Sequence, residues 1–247
     1  HKALAVSLSD VAAMGAKPVW AMLSIGVPAN VWQTDFADRF YDGYLRLANK
    51  FQVELIGGDV SKTTRGIVVD SIAAGEVKSG RAILRSGAKT GDLIFVTGRL
   101  GGAAGGLKLL ENGFLYDQSA KIWQKNLIMR QLQPLPRIYA AQDLSAMKIP
   151  TAMIDLSDGL SGDLRHLCRQ SRIGAKIFAG QIPLHKNLKA MTKSFDEQLD
   201  YALNGGEDFE LLFTADPKKI FQVQKMGKVF PFHHVGEVTA NAEIIEL

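Results

Sequence analysis

The sequence predicts an α/β or α+β protein built in two lobes. Apolar segments of strand length alternate with segments whose apolar residues recur every three or four positions, the spacing typical of helices. Residues 85–92 (RSGAKTGD) are rich in turn formers and separate two such series. We therefore expect an N-terminal lobe at residues 1–86 and a C-terminal lobe at residues 87–247.

The N-terminal lobe is predicted to contain four strands and two helices. Residues 4–8 predict a short strand, and Ser9-Asp10 would cap a brief helix after it. Residues 19–27 predict a buried strand. Segments 53–56 and 67–77 predict two more strands, the first of which runs into a Gly-Gly-Asp sequence. Between the strands at 19–27 and 53–56, five residues spaced three and four apart predict one helical face, namely Phe36, Phe40, Tyr44, Leu47 and Phe51.

The C-terminal lobe begins with a predicted strand at residues 93–97. The glycine-rich segment 98–106 follows, and we expect it mainly to permit tight helix packing. A long helical region is interrupted by Pro134 and Pro136. A strand at 151–156 opens into Ser-Asp-Gly, and the next helix buries one apolar face. Strands at 175–178 and 209–213 and two terminal strands complete the lobe.

Composition excludes several functional classes. A hydrophobic fraction of 47% suffices for a large core, and the net charge of +4 is not arranged in basic runs with interleaved aromatics. We therefore predict no nucleic-acid surface. No apolar stretch approaches the ~20 residues of a membrane-spanning helix. Cys168 is the only cysteine, so no disulfide forms within the chain, which is typical of a cytoplasmic protein.

The two ends of the sequence fall inside predicted elements. The chain begins at His1 without a methionine and stops at Leu247 within an apparent strand. We therefore expect that the natural protein carries further residues at both ends.

Four predicted strand ends each place an acidic residue beside glycine or serine. Glycine lets the backbone approach a ligand closely, and carboxylates are the hard oxygen ligands that Mg²⁺ takes together with water and phosphate. Asp155 and Asp158, three residues apart around Ser157, form the strongest pair because both can turn toward one ion. The four segments are Ser9-Asp10, Gly58-Asp59, residues 155–159 and residues 205–208.

Each acidic segment also has a structural interpretation. Asp10 would cap a helix, Asp59 would sit in a turn, and Ser157 or Asp158 would cap the helix beginning near residue 160. Glu207 and Asp208 would be solvated turn charges. Taken singly, these roles are favoured; four such segments in one chain favour a metal–phosphate site. Arg85 at the lobe boundary would contact nucleotide phosphates or be a surface arginine, and its sequence context leaves both open.

Other catalytic signatures do not occur. The sequence has no P-loop, no dinucleotide-binding glycine pattern and no Gly-x-Ser-x-Gly elbow. Cys168 lies on an apolar helical face, which favours packing over nucleophilic chemistry. His233 and His234 lie on opposite sides of a predicted strand and would not chelate one ion, so zinc is not expected.

Five segments together resemble thiamine-monophosphate kinases. They are residues 2–16 (KALAVSLSDVAAMGA), 55–59 (LIGGD), 85–92 (RSGAKTGD), 153–160 (MIDLSDGL) and 205–211 (GGEDFEL), which occur in the order of that family. The resemblance implies the two-lobed fold shared with aminoimidazole ribonucleotide synthetase. It also implies a homodimer formed by the N-terminal lobes, with ATP between the lobes near the dimer interface.

The resemblance also implies the roles of individual residues. Asp10, Asp59, Asp155 and Asp158 correspond to magnesium ligands, and Glu207 corresponds to a contact with thiamine monophosphate. The corresponding ATP contacts are Tyr41, Gly58, Asp59, Arg85 and Ser157.

The sequence departs from the family pattern in three places. Val60 stands where the family usually has threonine, and a Gly-Asp-Asp segment before His1 and an aromatic tail after Leu247 are not part of this sequence. The first departure puts a hydroxyl contact at position 60 in doubt but leaves the aspartate before it unaffected.

The implied reaction is transfer of the γ-phosphate of ATP to thiamine monophosphate, giving thiamine diphosphate. The acceptor phosphate has a second pKa near ~6, so no residue is expected to act as a general base. Two alternatives stay open: another ATP-dependent enzyme of the superfamily, such as the ring-closing synthetase, and a non-catalytic nucleotide-binding dimer. Residues 2–16 and 205–211 favour the kinase over the synthetase.

Overall fold

The computed structural model describes residues 1–242 and 244–247. The N-terminal part of the chain folds into a small sheet with its helices, and the remainder forms a larger sheet with its own helices. The first group comprises α1 (Lys2–Ala13), β1 (Lys17–Pro28), α2 (Ala29–Trp32), α3 (Phe36–Phe51), β2 (Glu54–Thr63) and β3 (Val68–Glu76). The second comprises β4 (Leu93–Thr97), α4 (Gly102–Glu111), α5 (Ile122–Leu132), α6 (Ile138–Ala146), β5 (Pro150–Asp155), α7 (Leu160–Ser171), β6 (Gly174–Ile177), α8 (Phe195–Asn204), β7 (Leu211–Ala215), α9 (Ile220–Met226), β8 (Phe232–Thr239) and β9 (Ile245–Glu246).

The small sheet has the strand order β2-β1-β3, with β1 parallel to β2 and antiparallel to β3. Helices α1 and α3 pack on one face of it. The opposite face carries Met22, Val68 and Ile72, whose side chains are 40%, 59% and 54% exposed. Because residues along a strand alternate between faces, this exposure marks one whole side of the sheet as open.

The large sheet has the order β5-β7-β4-β8-β6-β9, and all neighbours are antiparallel except β6 and β9. Both of its faces are covered. On β4, Phe95 points into one hydrophobic cluster while Ile94 and Val96 point into another, which α7 helps to form. This alternation is the period-two pattern of a strand buried on both sides.

Helix α1 connects the two sheets. Leu4 and Leu8 are fully buried in a cluster that also contains Leu23 of β1 and Phe213 of β7. Each buried leucine contributes about 1.5–3 kcal/mol relative to exposure. The helix therefore lies between the two sheets, and Asp10 lies close enough to Asp155 of β5 for their charges to interact.

The structure corrects three predictions in the N-terminal part. Residues 4–8 are not a strand, because they lie inside α1, and Ser9-Asp10 lies within the same helix and does not cap one. A short apolar run alone does not distinguish a strand from a buried helical face. The third correction concerns β2, which continues to Thr63, so that Asp59 lies inside a strand and not at its end.

Most other elements are confirmed, including the strand at 19–27, the helix from Phe36 to Phe51 and the strands at 93–97 and 151–156. The glycine-rich segment does permit close helix packing: a Cβ at Gly106 of α4 would lie 2.1 Å from the carbonyl oxygen of Leu127 on α5. Within the described residues, no helix has the length and apolar character needed to cross a membrane.

Candidate functional site

Two acidic segments lie side by side at one edge of the large sheet. Asp155 at the end of β5 pairs with Leu211 at the start of β7. The pairing continues beyond the strands, because Leu156 N–H donates to Glu210 O (2.7 Å) and Glu207 N–H donates to Ser157 O (2.8 Å). Segments 155–159 and 205–210 are thereby brought together, as is expected where antiparallel strands meet their neighbouring loops.

Asp155 is a buried carboxylate with little compensation from the chain. Its side chain is 4% exposed and accepts a hydrogen bond from Ser9 Oγ of α1 (2.7 Å). Burial raises the pKa of Asp155; the Ser9 hydrogen bond lowers it, nearby Asp10 raises it further, and Arg85 lowers it. Partial burial likewise raises the pKa of Asp10, against the effect of Arg85. One guanidinium thus faces two carboxylates, an arrangement that favours a bound cation.

A cleft of about 530 Å³ adjoins these residues, and we call it the β5 cleft. It combines apolar walls with one acid and one guanidinium, which is the mixture expected of a site for a ligand with both a base and phosphates. Its lining residues are Asp10, Ala13, Met14, Ile83, Leu84, Arg85, Ser86, Met153 and Gln170.

The Ser157-Asp158 loop is held through its backbone. Asp163 on α7 accepts hydrogen bonds from the N–H groups of Ser157 (2.9 Å) and Asp158 (3.0 Å). The predicted alternative, a side-chain cap by Ser157 or Asp158, is wrong because the N-cap is Gly159, and that helix start has no side-chain cap. Gly159 has φ 95°, a conformation that favours glycine.

Asp163 was missed by the sequence analysis. It is 2% exposed, and burial raises its pKa to about 7; the N–H group of Asp158 opposes this shift, whereas the charges of Asp158 and Asp155 add to it. An acid in the first turn of the helix after Ser-Asp-Gly was the available signal, since such residues often bind the free N–H groups there.

Glu207 lies between two partners from distant parts of the chain. Its carboxylate forms an ion pair with Lys2 Nζ of α1 (2.9 Å) and accepts a hydrogen bond from the Gln131 amide of α5. Burial opposes ionisation, but the Gln131 and Lys2 contacts hold the pKa of Glu207 below its ordinary value. The side chain is 37% exposed, so one side stays accessible to a ligand.

The two acids after Glu207 are buried and paired. Asp208 accepts the N–H groups of Gly101 and Ala103 at the start of α4, so its prediction as a solvated turn charge is wrong. Glu210 is 1% exposed and is contacted by two arginines and a threonine hydroxyl, namely Arg137, Arg130 and Thr97. No local sequence pattern indicates this network, because the partners of Glu210 lie more than 70 residues away from it in the chain.

Tyr41, Gly58 and Asp59 line a separate cavity of about 400 Å³ beside β2. Glycine is required at position 58, because a Cβ there would lie 1.7 Å from the carbonyl oxygen of Leu23 on β1. Asp59 accepts a hydrogen bond from Ser61 Oγ. Its β1 partner is Ser24, which pairs on its other side with Asp70 of β3.

Asp10 and Asp59 line different cavities. Asp10 lines the β5 cleft with Arg85, whereas Asp59 lines the cavity beside β2 with Tyr41 and Gly58. Asp155 lies close enough to Asp10 and Arg85 for their charges to shift its pKa, and Asp158 follows it in the same loop.

The carboxylates at the β5 cleft suit a magnesium ion that is also held by water and phosphate better than a metal enclosed entirely by protein ligands. Among residues 1–242 and 244–247, no group of three or more His, Cys, Asp or Glu side chains could hold a metal ion. Magnesium keeps several waters and takes one or two carboxylates together with substrate phosphates, so a site of Asp10 and Asp155 fits it.

Comparisons with known proteins agree with this architecture. The AIR synthase related protein N-terminal domain model matches residues 1–77, and the corresponding C-terminal domain model matches residues 89–246. A thiamine-monophosphate kinase of Buchnera aphidicola subsp. Schizaphis graminum is 42% identical over 97% of this chain and 72% of that protein.

Two solved structures are similar over 99% of this chain. The thiamine-monophosphate kinase of Stenotrophomonas maltophilia K279a is 34% identical, with a TM-score of 0.90 and 76% of that chain covered. AaThiL complexed with AMPPCP and TMP is 32% identical, with a TM-score of 0.86 and 75% of that chain covered. These matches confirm the predicted fold class, and the chain belongs to the thiamine-monophosphate kinase family.

Proposed function

We propose that this protein transfers the γ-phosphoryl group of ATP to thiamine monophosphate and releases thiamine diphosphate and ADP. An oxygen of the acceptor phosphate forms the new bond to the γ-phosphorus as the bridging bond to ADP breaks, in line with it. Family membership supplies the reaction. The observation on this chain that carries it is the pair of carboxylates, Asp10 and Asp155, set against Arg85 at the β5 cleft.

The chemistry explains why no general base is needed. The acceptor phosphate loses its second proton near pH ~6, so it is already largely dianionic at neutral pH. The obstacle is the repulsion between two polyanions, which positioned cations reduce. We propose that Arg85 contacts the nucleotide phosphates and that Ser157, in the backbone-held loop, contacts them as well.

Magnesium is the proposed metal. Asp10 and Asp155 would hold one ion beside the β5 cleft, and Asp158, in the loop after β5, would contact a second ion; when bound, magnesium neutralises phosphate charge. Asp155 is suited to this role because it is buried, its side-chain hydrogen-bond donor is the neutral hydroxyl of Ser9, and it shares the positive charge of Arg85 with Asp10. Glu207 is proposed to contact thiamine monophosphate, since its carboxylate lies beside the same pair of loops.

We further propose a homodimer through the open face of the small sheet. Met22, Val68 and Ile72 expose apolar surface there, and burial of that surface against a second copy would stabilise the pair. Asp59 lies on this side of the sheet, in register with Ser24 and Asp70. We propose that Asp59, with Gly58 and Tyr41, serves the ATP and magnesium site of the second copy.

Two further features are also proposals. The lobe boundary is placed between residues 86 and 87, within the turn-rich connection from β3 to β4. A cytoplasmic location is proposed from the dependence on ATP and from Cys168, which is a free, buried thiol.

Formation of thiamine diphosphate from thiamine monophosphate and Mg-ATP by the full-length protein tests the proposal. Asp155→Ala is expected to reduce turnover by at least about 100-fold while circular dichroism stays native. Asp117→Asn is a matched control, because Asp117 is an exposed acid in the loop between α4 and α5. Normal diphosphate formation by Asp155→Ala would overturn the assignment.

A further inference from the structure

The backbone around Glu207 is held in unusual conformations. Glu207 has φ 59° and Phe209 has φ 49°, and Gly206 before them has φ 69°. Non-glycine residues persist in the left-handed region only where the surrounding structure imposes it, and such positions concentrate at ligand sites. The neighbours that impose this conformation therefore decide where the Glu207 carboxylate points.

Asp208 fixes the chain directly after Glu207. Its two carboxylate oxygens accept the N–H groups of Gly101 and of Ala103 (3.0 Å), which lie at the start of α4. The side chain is only 5% exposed. A buried carboxylate with both oxygens bonded to backbone amides has one orientation, so the position of residue 208 is set by α4.

Glu210 provides a second anchor on the other side of Phe209. Arg137 forks onto both of its oxygens, Arg130 donates to Oε1 (3.1 Å), and Thr97 Oγ1 donates to Oε2 (2.6 Å). Gly98 leaves the room for this carboxylate, since a Cβ there would lie 2.1 Å from Oε1. Two carboxylates and two guanidinium groups balance one another in this buried cluster.

Helix α5 links the buried cluster to Glu207 itself. Arg130 also donates to the backbone carbonyl oxygen of Asp208 (3.1 Å), and the next residue, Gln131, donates to the Glu207 carboxylate. Arg130 of α5 thus contacts Asp208 and Glu210, and the adjacent Gln131 contacts Glu207.

We propose that Asp208, Glu210, Arg130 and Arg137, which we call the 208–210 clamp, are positioning residues that hold the Glu207 carboxylate where thiamine monophosphate binds. The inference rests on the proposed role of Glu207 as the substrate contact. The clamp acts through Glu207, and none of its residues lines the β5 cleft, so its loss is expected to weaken substrate binding and spare the chemical step.

A double-mutant cycle in the full-length enzyme tests this inference. Glu207→Gln and Asp208→Asn are each expected to raise KM for thiamine monophosphate at least about tenfold, with kcat and KM for ATP little changed. Because Asp208 acts through Glu207, the double variant is expected to have the KM of Glu207→Gln alone. Asp117→Asn serves as the control with unchanged constants.

The possible results separate the two levels of the proposal. If wild-type enzyme forms no thiamine diphosphate, the proposed function fails. If it does, but Glu207→Gln leaves KM for thiamine monophosphate unchanged, the substrate contact and the clamp both fail. If Glu207→Gln raises KM but the double variant shows the product of the two single effects, only the clamp fails. Arg130→Lys, which keeps the positive charge and loses the Nη2 group that donates to Asp208 O and Glu210 Oε1, repeats the cycle if Asp208→Asn reduces the folded fraction.

Discussion

Segments 155–159 and 205–210 lie side by side beyond the large sheet, but their carboxylates are neutralised in different ways. Asp155 has one hydroxyl partner, Ser9, and shares a single exposed guanidinium, Arg85, with Asp10. Glu210, only one strand away, is contacted by two arginines and a threonine. Adjacent positions with the same chemistry therefore differ in how their charge is compensated, and we propose that they have different roles.

The comparison shows what separates a functional acid from a structural one here. A carboxylate whose counter-charge is supplied by the chain is satisfied in the folded protein and contributes to stability. A buried carboxylate without that counter-charge is costly by itself and becomes favourable when an external cation arrives. Proximity to glycine, the signal in the sequence, is common to both segments and does not distinguish them.

The largest expected contrast comes from amide substitution of one acid in each segment. Asp155→Asn is expected to lower turnover at least about 100-fold and to change the free energy of unfolding by less than about 1 kcal/mol. Glu210→Gln leaves two arginines partly uncompensated and is expected to cost about 3–5 kcal/mol. Urea unfolding and the diphosphate assay measure both quantities, and equal destabilisation by the two variants would contradict the comparison.

Mixing two inactive variants tests whether Asp59 of a second copy completes the site at residues 155–159. Asp59→Asn and Asp155→Asn homodimers are each expected to be inactive. After exchange of subunits at equal mixing, half of all dimers are mixed, and each mixed dimer has one of its two sites with both aspartates intact. About a quarter of wild-type turnover is therefore expected. Two Asp59→Asn preparations mixed together are the control. Absence of recovery would place Asp59 in the site of its own chain.

The arginines near residues 205–210 should also affect the stability of the protein at acidic pH, because they act on His185. Burial lowers the pKa of His185 to about 4, and Arg130 and Arg99 add to this effect. Below pH ~6.5 the unfolded chain therefore binds a proton at His185, whereas the folded protein binds it only near pH 4. The contribution of neutral His185 to stability is fully present above pH ~6.5 and is lost as the pH falls toward 4. At pH 5, wild type should lose about 2 kcal/mol more than His185→Gln, relative to pH 7.5. Thermal unfolding at the two pH values measures it, and parallel losses would contradict it.

The smallest expected effect concerns a residue outside both segments. Cys168 is completely buried on α7, and burial raises the pKa of its thiol to about 11. We expect no detectable reaction with a thiol reagent at pH 8 in the native protein and one equivalent after denaturation. Rapid native labelling would show that α7, which holds the 155–159 loop, opens readily.

Much of the fold followed from local patterns. The helix from Phe36 to Phe51 was predictable from apolar residues spaced three and four apart, and the strands at 93–97 and 151–156 from short, largely apolar runs. Residues 4–8 were not, because a five-residue segment with four apolar residues fits a strand as well as one face of α1. Burial of Leu4 and Leu8 between the two sheets favours the helix over the strand.

The candidate site divides in the same way. Composition and motif order by themselves determined that the chain carries carboxylates beside glycines and resembles a kinase family, because those features are local. Only the tertiary structure decided which carboxylates are partnered. The contacts of Ser9 with Asp155, of Lys2 with Glu207 and of Arg137 with Glu210 each join residues more than 70 positions apart. Charge compensation depends on such long-range contacts, which a single sequence does not encode as a readable pattern.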